Sequence, residues 1–177
     1  MTVAHFGDRT PAIGARTYIH PSADVFGDVT IGDDCWIGPG ARIRGDYGAI
    51  TIGSCTSIED NCVVHARPGE ETRIGDWVTI GHGSVIHNAT VDDYAIIGMG
   101  AVISDWAAVG RWAVVGEGAV VRQRQTIPAE HIAVGVPARV LDRPIDDAYR
   151  AEWTRFKETY VDLARRYPGS WLPVRKG

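Results

Sequence analysis

The 177-residue chain has no apolar run approaching the ~20 residues that span a bilayer. Its first ten residues, MTVAHFGDRT, lack the layout of a secretory signal. Both absences predict a cytoplasmic protein that does not enter a membrane. An excess of basic residues is also missing: 18 Lys and Arg stand against 22 Asp and Glu, a formal charge of −4. That balance argues against a nucleic-acid binder, which needs a basic face. Cysteine is scarce. Cys35, Cys55 and Cys62 form an odd, scattered set, which predicts reduced thiols rather than a disulfide framework.

What the chain does have is a period of six. Ile19, Val25, Ile31, Ile37 and Ile43 follow one another at that interval without a slip. The step from Ile43 to Ile52 is nine residues, an excess of three, and the step from Val64 to Ile74 is ten, an excess of four. The repeat then runs through Ile80 and Ile86, shortens by one to Val91, and continues to Val121. Glycine often follows the aliphatic, as at Gly32, Gly53 and Gly81, and four residues after it sits something small, as at Ala41, Cys62 and Ala101. The glycines are expected to accept backbone angles that other residues resist. One six-residue unit cannot bury its own apolar face, so the units must stack into a solenoid. An amphipathic helix would show period 3.6 instead.

The last part changes character. From about residue 146 to 167, Tyr149, Trp153, Phe156, Tyr160, Leu163 and Tyr167 are spaced 4, 3, 4, 3, 4, one face of a helix laid on the solenoid or on a neighbouring subunit. Pro168-Gly169 is expected to stop it, leaving 170–177 as a tail. The whole, 1–177, reads as a single domain with β structure over about 15–141.

Histidine placement is the chemical signal, because imidazole is the commonest protein ligand for metal ions. His65 follows Val64 and His87 follows Ile86, 22 residues apart. Removing the four-residue excess leaves 18. If 18 residues make one coil, the two rings stand on adjacent coils of one face, about 4.8 Å apart at the backbone. Arg44, after Ile43, extends the column downwards by the same subtraction. His82 lies two places after Ile80 and therefore on another face, with Asp60 one coil beneath it. A third imidazole for one ion would then come from a neighbouring copy. His5, His20 and His131 fall outside the column.

The repeat resembles the left-handed parallel β-helix of hexapeptide-repeat proteins, in which three hexapeptides make one triangular coil. The handedness and the three-per-coil count are implied by that resemblance, which gives about six coils here. Arg44-Gly45-Asp46, Ser57-Ile58-Glu59-Asp60-Asn61, His65 and Ile80-Gly-His82-Gly-Ser-Val-Ile-His87 further resemble the γ-class carbonic anhydrases over about residues 15–167. The resemblance implies a zinc enzyme, with iron or cobalt used by some members, that hydrates CO2 reversibly to bicarbonate by metal-bound hydroxide at the interfaces of a homotrimer. It assigns His65, His82 and His87 to the metal, the first and third from one subunit and the second from the next. Arg44, Asp46 and Asp60 match its interfacial polar network.

Two departures stand out. Glu59 occupies a position where the family has glutamine, and Tyr47 one where an archaeal member has glutamate. Glu59 is expected to orient the metal-bound solvent or accept its proton, with Glu70 or Glu71 passing protons to bulk. The same scaffold also serves acyltransferases, and relatives in phenylacetate and carnitine pathways are described as thioesterases or transferase-like proteins. An acyl-CoA thioesterase or acyltransferase-like protein, or a catalytically silent metal-binding homologue, is therefore the alternative expectation.

Overall fold

The computed structural model describes residues 2–170. It is a parallel β-solenoid of three faces with one C-terminal helix, matching the left-handed β-helix of hexapeptide repeats. On one face Val3, Val25, Ile43, Val64, Ile86, Ile103 and Val121 pair in register from rung to rung. The other two faces stack in the same way, from Ile13 to Ile127 and from Ile19 to Ala133. The inward aliphatics form one continuous core along the axis.

Each face carries seven rungs, where the resemblance to hexapeptide-repeat proteins implied about six coils. The extra coil is built by residues ahead of the β structure expected to begin at about residue 15. Thr2–Ala4 pairs with the start of Asp24–Ile31, and Ala12–Ile13 with its end. Val3 to Ile13 is ten residues, so the same four-residue excess seen later in the chain disguised the first coil.

The corners explain the small residues. At the bends, the residue just before the small one has a left-handed backbone, as at Asp34, Asn61, Trp106 and Gly100. The next side chain points into the narrow corner, and Cys35, Cys62, Ala107 and Ala101 are all buried there. The glycines after the aliphatics have a different reason from the one expected. Their φ angles are not positive. At Gly53, instead, an added Cβ would lie 2.6 Å from the Gly75 carbonyl carbon of the next coil. They are small so that coils can stack.

Asp147–Ser170 is the helix, and it passes through Pro168, where a stop was expected. Proline in a last turn forfeits one intrahelical hydrogen bond, which a helix end tolerates better than its middle. Asp146 caps the start, its carboxylate accepting the Tyr149 N–H at 2.8 Å. The buried face is centred on Lys157, Val161 and Ala164, whereas Phe156 of the aromatic stripe is 52% exposed. The tail expected beyond the helix falls on 171–177, outside the described residues. Among the described residues no helix is long and apolar enough to cross a membrane.

Candidate metal centre

Strand register makes Arg44, His65 and His87 a vertical column: Arg44 pairs with His65, and His65 with His87. All three follow an inward aliphatic, so alternation along the strand turns their side chains outward. His65 Nδ1 lies 3.2 Å from His87 Nε2. The far nitrogen of each ring meets a carboxylate. His65 Nε2 donates to Asp46 Oδ1 at 2.9 Å, and His87 Nδ1 donates to Asp105 Oδ1 at 2.5 Å.

Charge holds these carboxylates ionised. Burial works against the Asp46 anion, but the hydrogen bond from His65 and the Arg44 guanidinium, 2.9 Å away, outweigh it and lower its pKa. Asp105 is lowered in the same way: burial opposes the anion, and hydrogen bonds from His87 and Arg67 prevail. Arg67 reaches Asp105 Oδ2 at 2.7 Å and lies over the Trp106 ring.

The donor set can be tested for a metal on this geometry. An ionised carboxylate only accepts, so the ring hydrogens belong on the nitrogens that face Asp46 and Asp105. The two remaining nitrogens then face each other with lone pairs. Such a pair repels unless a cation or a proton lies between. Two imidazoles sharing a tetrahedral ion at 2.0–2.1 Å hold their nitrogens roughly 3.3 Å apart, close to the observed spacing. The pair fits a metal, and one chain would supply two of its ligands. Among the described residues no three His, Cys, Asp or Glu side chains of one chain converge to hold an ion.

His82 stands on another face. Ile80 pairs with Ile58, which puts Asp60 one rung below it. His82 Nδ1 is 2.7 Å from Asp60 Oδ2, and its Nε2 is 3.0 Å from Glu59 Oε2. Glu59 thus belongs with His82, not with the column. Its carboxyl is buried, and burial pushes its pKa up against the pull of His82 and a hydrogen bond from Tyr160. Tyr160 is itself pushed up by burial and by the Glu59 charge. Beside this group a cleft of about 300 Å³ opens, walled by Ile97, Met99, Trp153 and Phe156.

The other candidates are placed apart. Glu70 is exposed, and Glu71 accepts the Thr51 hydroxyl and pairs with Arg73. Tyr47 is 60% exposed. Two groups were missed by sequence reading. Asp105 sits two places after Ile103, one rung above Ile86, so the subtraction that aligned the histidines would have found it. Lys157 gave no such signal, because a lysine within an aromatic stripe reads as solvent-facing.

No family model matches the chain. Over 85 residues it is 35% identical to the carnitine operon protein CaiE of Escherichia coli O157:H7, and 38% to that of Proteus sp. (strain LE138). Each match covers 48% of this chain and 43% of the relative, so the chain spans less than half the length of these curated relatives. Among solved structures it is similar to a putative acetyltransferase, the product of the BC4754 gene of Bacillus cereus. That similarity has 31% identity and a TM-score of 0.90 over 92% of this chain and 94% of the other. A hexapeptide transferase family protein from Anaplasma phagocytophilum aligns with 30% identity and a TM-score of 0.89, over 94% and 98%. The N-acyltransferase AntD of Bacillus cereus, crystallised with dTDP and coenzyme A, shares the fold at 19% identity and a TM-score of 0.69, over 84% and 91%.

Proposed function

The chain belongs to the hexapeptide-repeat family, and on that footing we propose that it is a zinc-dependent hydratase of the γ-carbonic anhydrase type. It would convert CO2 and water to bicarbonate where copies of the chain meet in a trimer. The observation that carries the reading is the pair of nitrogens His65 Nδ1 and His87 Nε2, facing each other at 3.2 Å. His82 of a neighbouring copy would be the third ligand, since within one chain it lies on another face. Zinc held there would supply the Lewis acidity that makes water a nucleophile near neutral pH.

The chain's own groups have defined work in this reading. Asp46 orients the His65 ring, and Arg44 holds Asp46. Asp60 engages His82 Nδ1, which would leave Nε2, beside Glu59 in this structure, as the ligating nitrogen. Glu59 Oε2 lies beside that nitrogen and is the group placed to take and return a proton, steadied by Tyr160. The apolar walls of the cleft limit water access. The test is CO2 hydration by protein loaded with zinc and with cobalt. Activity that follows metal content is expected; none in either form, with the metal verified as bound, would sink the reading.

A second reading, acyl transfer or thioester hydrolysis, is favoured by the cleft. Its volume of about 300 Å³ and apolar walls exceed what CO2 requires. The His82–Asp60 pair is arranged as an oriented general base. The similarity to a putative acetyltransferase and a hexapeptide transferase family protein supports the same direction. Incubation with a panel of acyl-CoAs, following free thiol, separates the readings.

A further inference from the structure

We propose that Asp105, braced by Arg67, is a positioning residue that keeps the ring hydrogen of His87 on Nδ1, so that Nε2 stays open as a metal-binding nitrogen. The inference rests on the metal reading above. It goes further by assigning a role to two residues that lie outside the histidine set and its interfacial network.

The geometry is a chain of three links. Arg67 donates to Asp105 Oδ2 at 2.7 Å, Asp105 Oδ1 accepts from His87 Nδ1 at 2.5 Å, and His87 Nε2 then faces His65 at 3.2 Å. Each link is directional. Arginine is always a donor, so it leaves Asp105 nothing to do but accept. A neutral imidazole carries one ring hydrogen, and a carboxylate at Nδ1 claims it. What remains at Nε2 is a lone pair aimed at the site.

The brace is also mechanically fixed. Arg67 begins the loop inserted after His65, and its backbone N–H donates to Asn88 Oδ1 at 3.2 Å, next to His87 in sequence. Its guanidinium lies 5.1 Å from the Trp106 ring centroid, and Arg124 covers the same ring at 4.4 Å. The loop that lengthens the repeat by four residues therefore returns a side chain to Asp105, which follows Ile103 two rungs above Val64. In its absence Asp105 would keep one oxygen on His87 and leave the other free to rotate toward water. Partners that orient a ligating histidine typically change metal affinity 10- to 100-fold when removed.

Two measurements test this on the full chain. The first is the ¹⁵N chemical shifts of the His87 ring in metal-free protein. The hydrogen is expected on Nδ1 in the wild type and in Asp105→Asn, whose side-chain carbonyl still accepts it, and shared between both nitrogens in Asp105→Ala. The second is zinc affinity by competition with a chromogenic chelator. Asp105→Ala is expected to bind roughly 10- to 100-fold more weakly, with Asp105→Asn between it and the wild type.

A wild-type hydrogen on Nε2, or Asp105→Ala affinity within twofold of wild type, would overturn the proposal. If the alanine variant does not fold, Arg67→Met carries the affinity test, with weakening by about threefold or more expected and no change counting against it. A wild type that takes up no zinc would defeat the metal reading, while the ¹⁵N shifts still decide what Asp105 does to His87.

Discussion

Lys157 Nζ, on the C-terminal helix, donates to Thr79 Oγ1 at 3.1 Å and to the Ala95 carbonyl at 3.2 Å on the solenoid face. It is 2% exposed and lies 6.0 Å from the ring centroids of both Trp112 and Trp153. Burial pushes its pKa down to about 7, with the Glu59 charge opposing. A base whose pKa is lower folded than unfolded penalises the fold when charged. The penalty is full below pH 7 and is relieved as pH rises from there toward about 10.4, the unfolded value. Wild-type stability should therefore gain on the order of 4 kcal/mol relative to Lys157→Met between pH 6 and pH 10. Urea melts of both proteins at the two pH values measure it; parallel pH dependences would contradict the burial argument.

Why that lysine escaped the sequence, when the histidine column did not, is a matter of what a period can carry. A rung repeats every 18 residues once insertions are removed, so His65, His87 and Arg44 could be stacked by subtraction. Asp105 was reachable by the same route. The helix has no such ruler. Its apolar stripe does pack on the solenoid through Tyr149, Trp153 and Tyr160, but the face is centred on Lys157 and Val161, and Phe156 is left exposed. The lysine's apolar stem packs there while its amine finds two acceptors. The glycines stand at the places the repeat marks but for a different reason, because it is the neighbouring coil, absent from any local sequence pattern, that occupies the space of a Cβ.

That correction is testable by two substitutions with the same chemistry. At Gly53 an added Cβ would meet backbone of the next coil, 2.6 Å from the Gly75 carbonyl carbon. At Gly116 the nearest obstacle is the Val134 side chain, at 2.9 Å, which can rotate. Gly53→Ala should destabilise by about 1–3 kcal/mol, and Gly116→Ala by less. Equal losses in thermal denaturation would mean that backbone crowding is not what selects glycine.

The thiols should divide by position in the coil. Cys35 and Cys62 fill corners, are fully buried, and burial pushes their pKa values up to about 11 and about 12. Cys55 is half-buried, its pKa also raised by burial. A disulfide reagent at pH 8 should label at most one thiol per native chain, and three after unfolding. Rapid labelling of more than one in native protein would show that the corners open, because the thiolate is the reacting form.

The sharing of a metal between copies can be decided by mixing defects. His82 lies on a different face from His65 and His87, so in the proposed trimer His82→Ala and His87→Ala would damage different sides of one interface. Each variant alone spoils every site of a symmetric trimer and should bind little zinc. In a mixed trimer, a chain with His65 and His87 intact meets a chain with His82 intact at some interfaces, and those sites are whole. Co-refolding the two variants should therefore restore part of the zinc uptake, about a quarter of the wild-type sites for equal amounts and random assembly, because each site needs one particular pairing of neighbours. If all three ligands came from one chain, every chain in the mixture would still lack one, and uptake would stay at the level of the separate variants. Dilute mixing without unfolding is the control, since exchange between preformed trimers should restore uptake only as fast as copies dissociate.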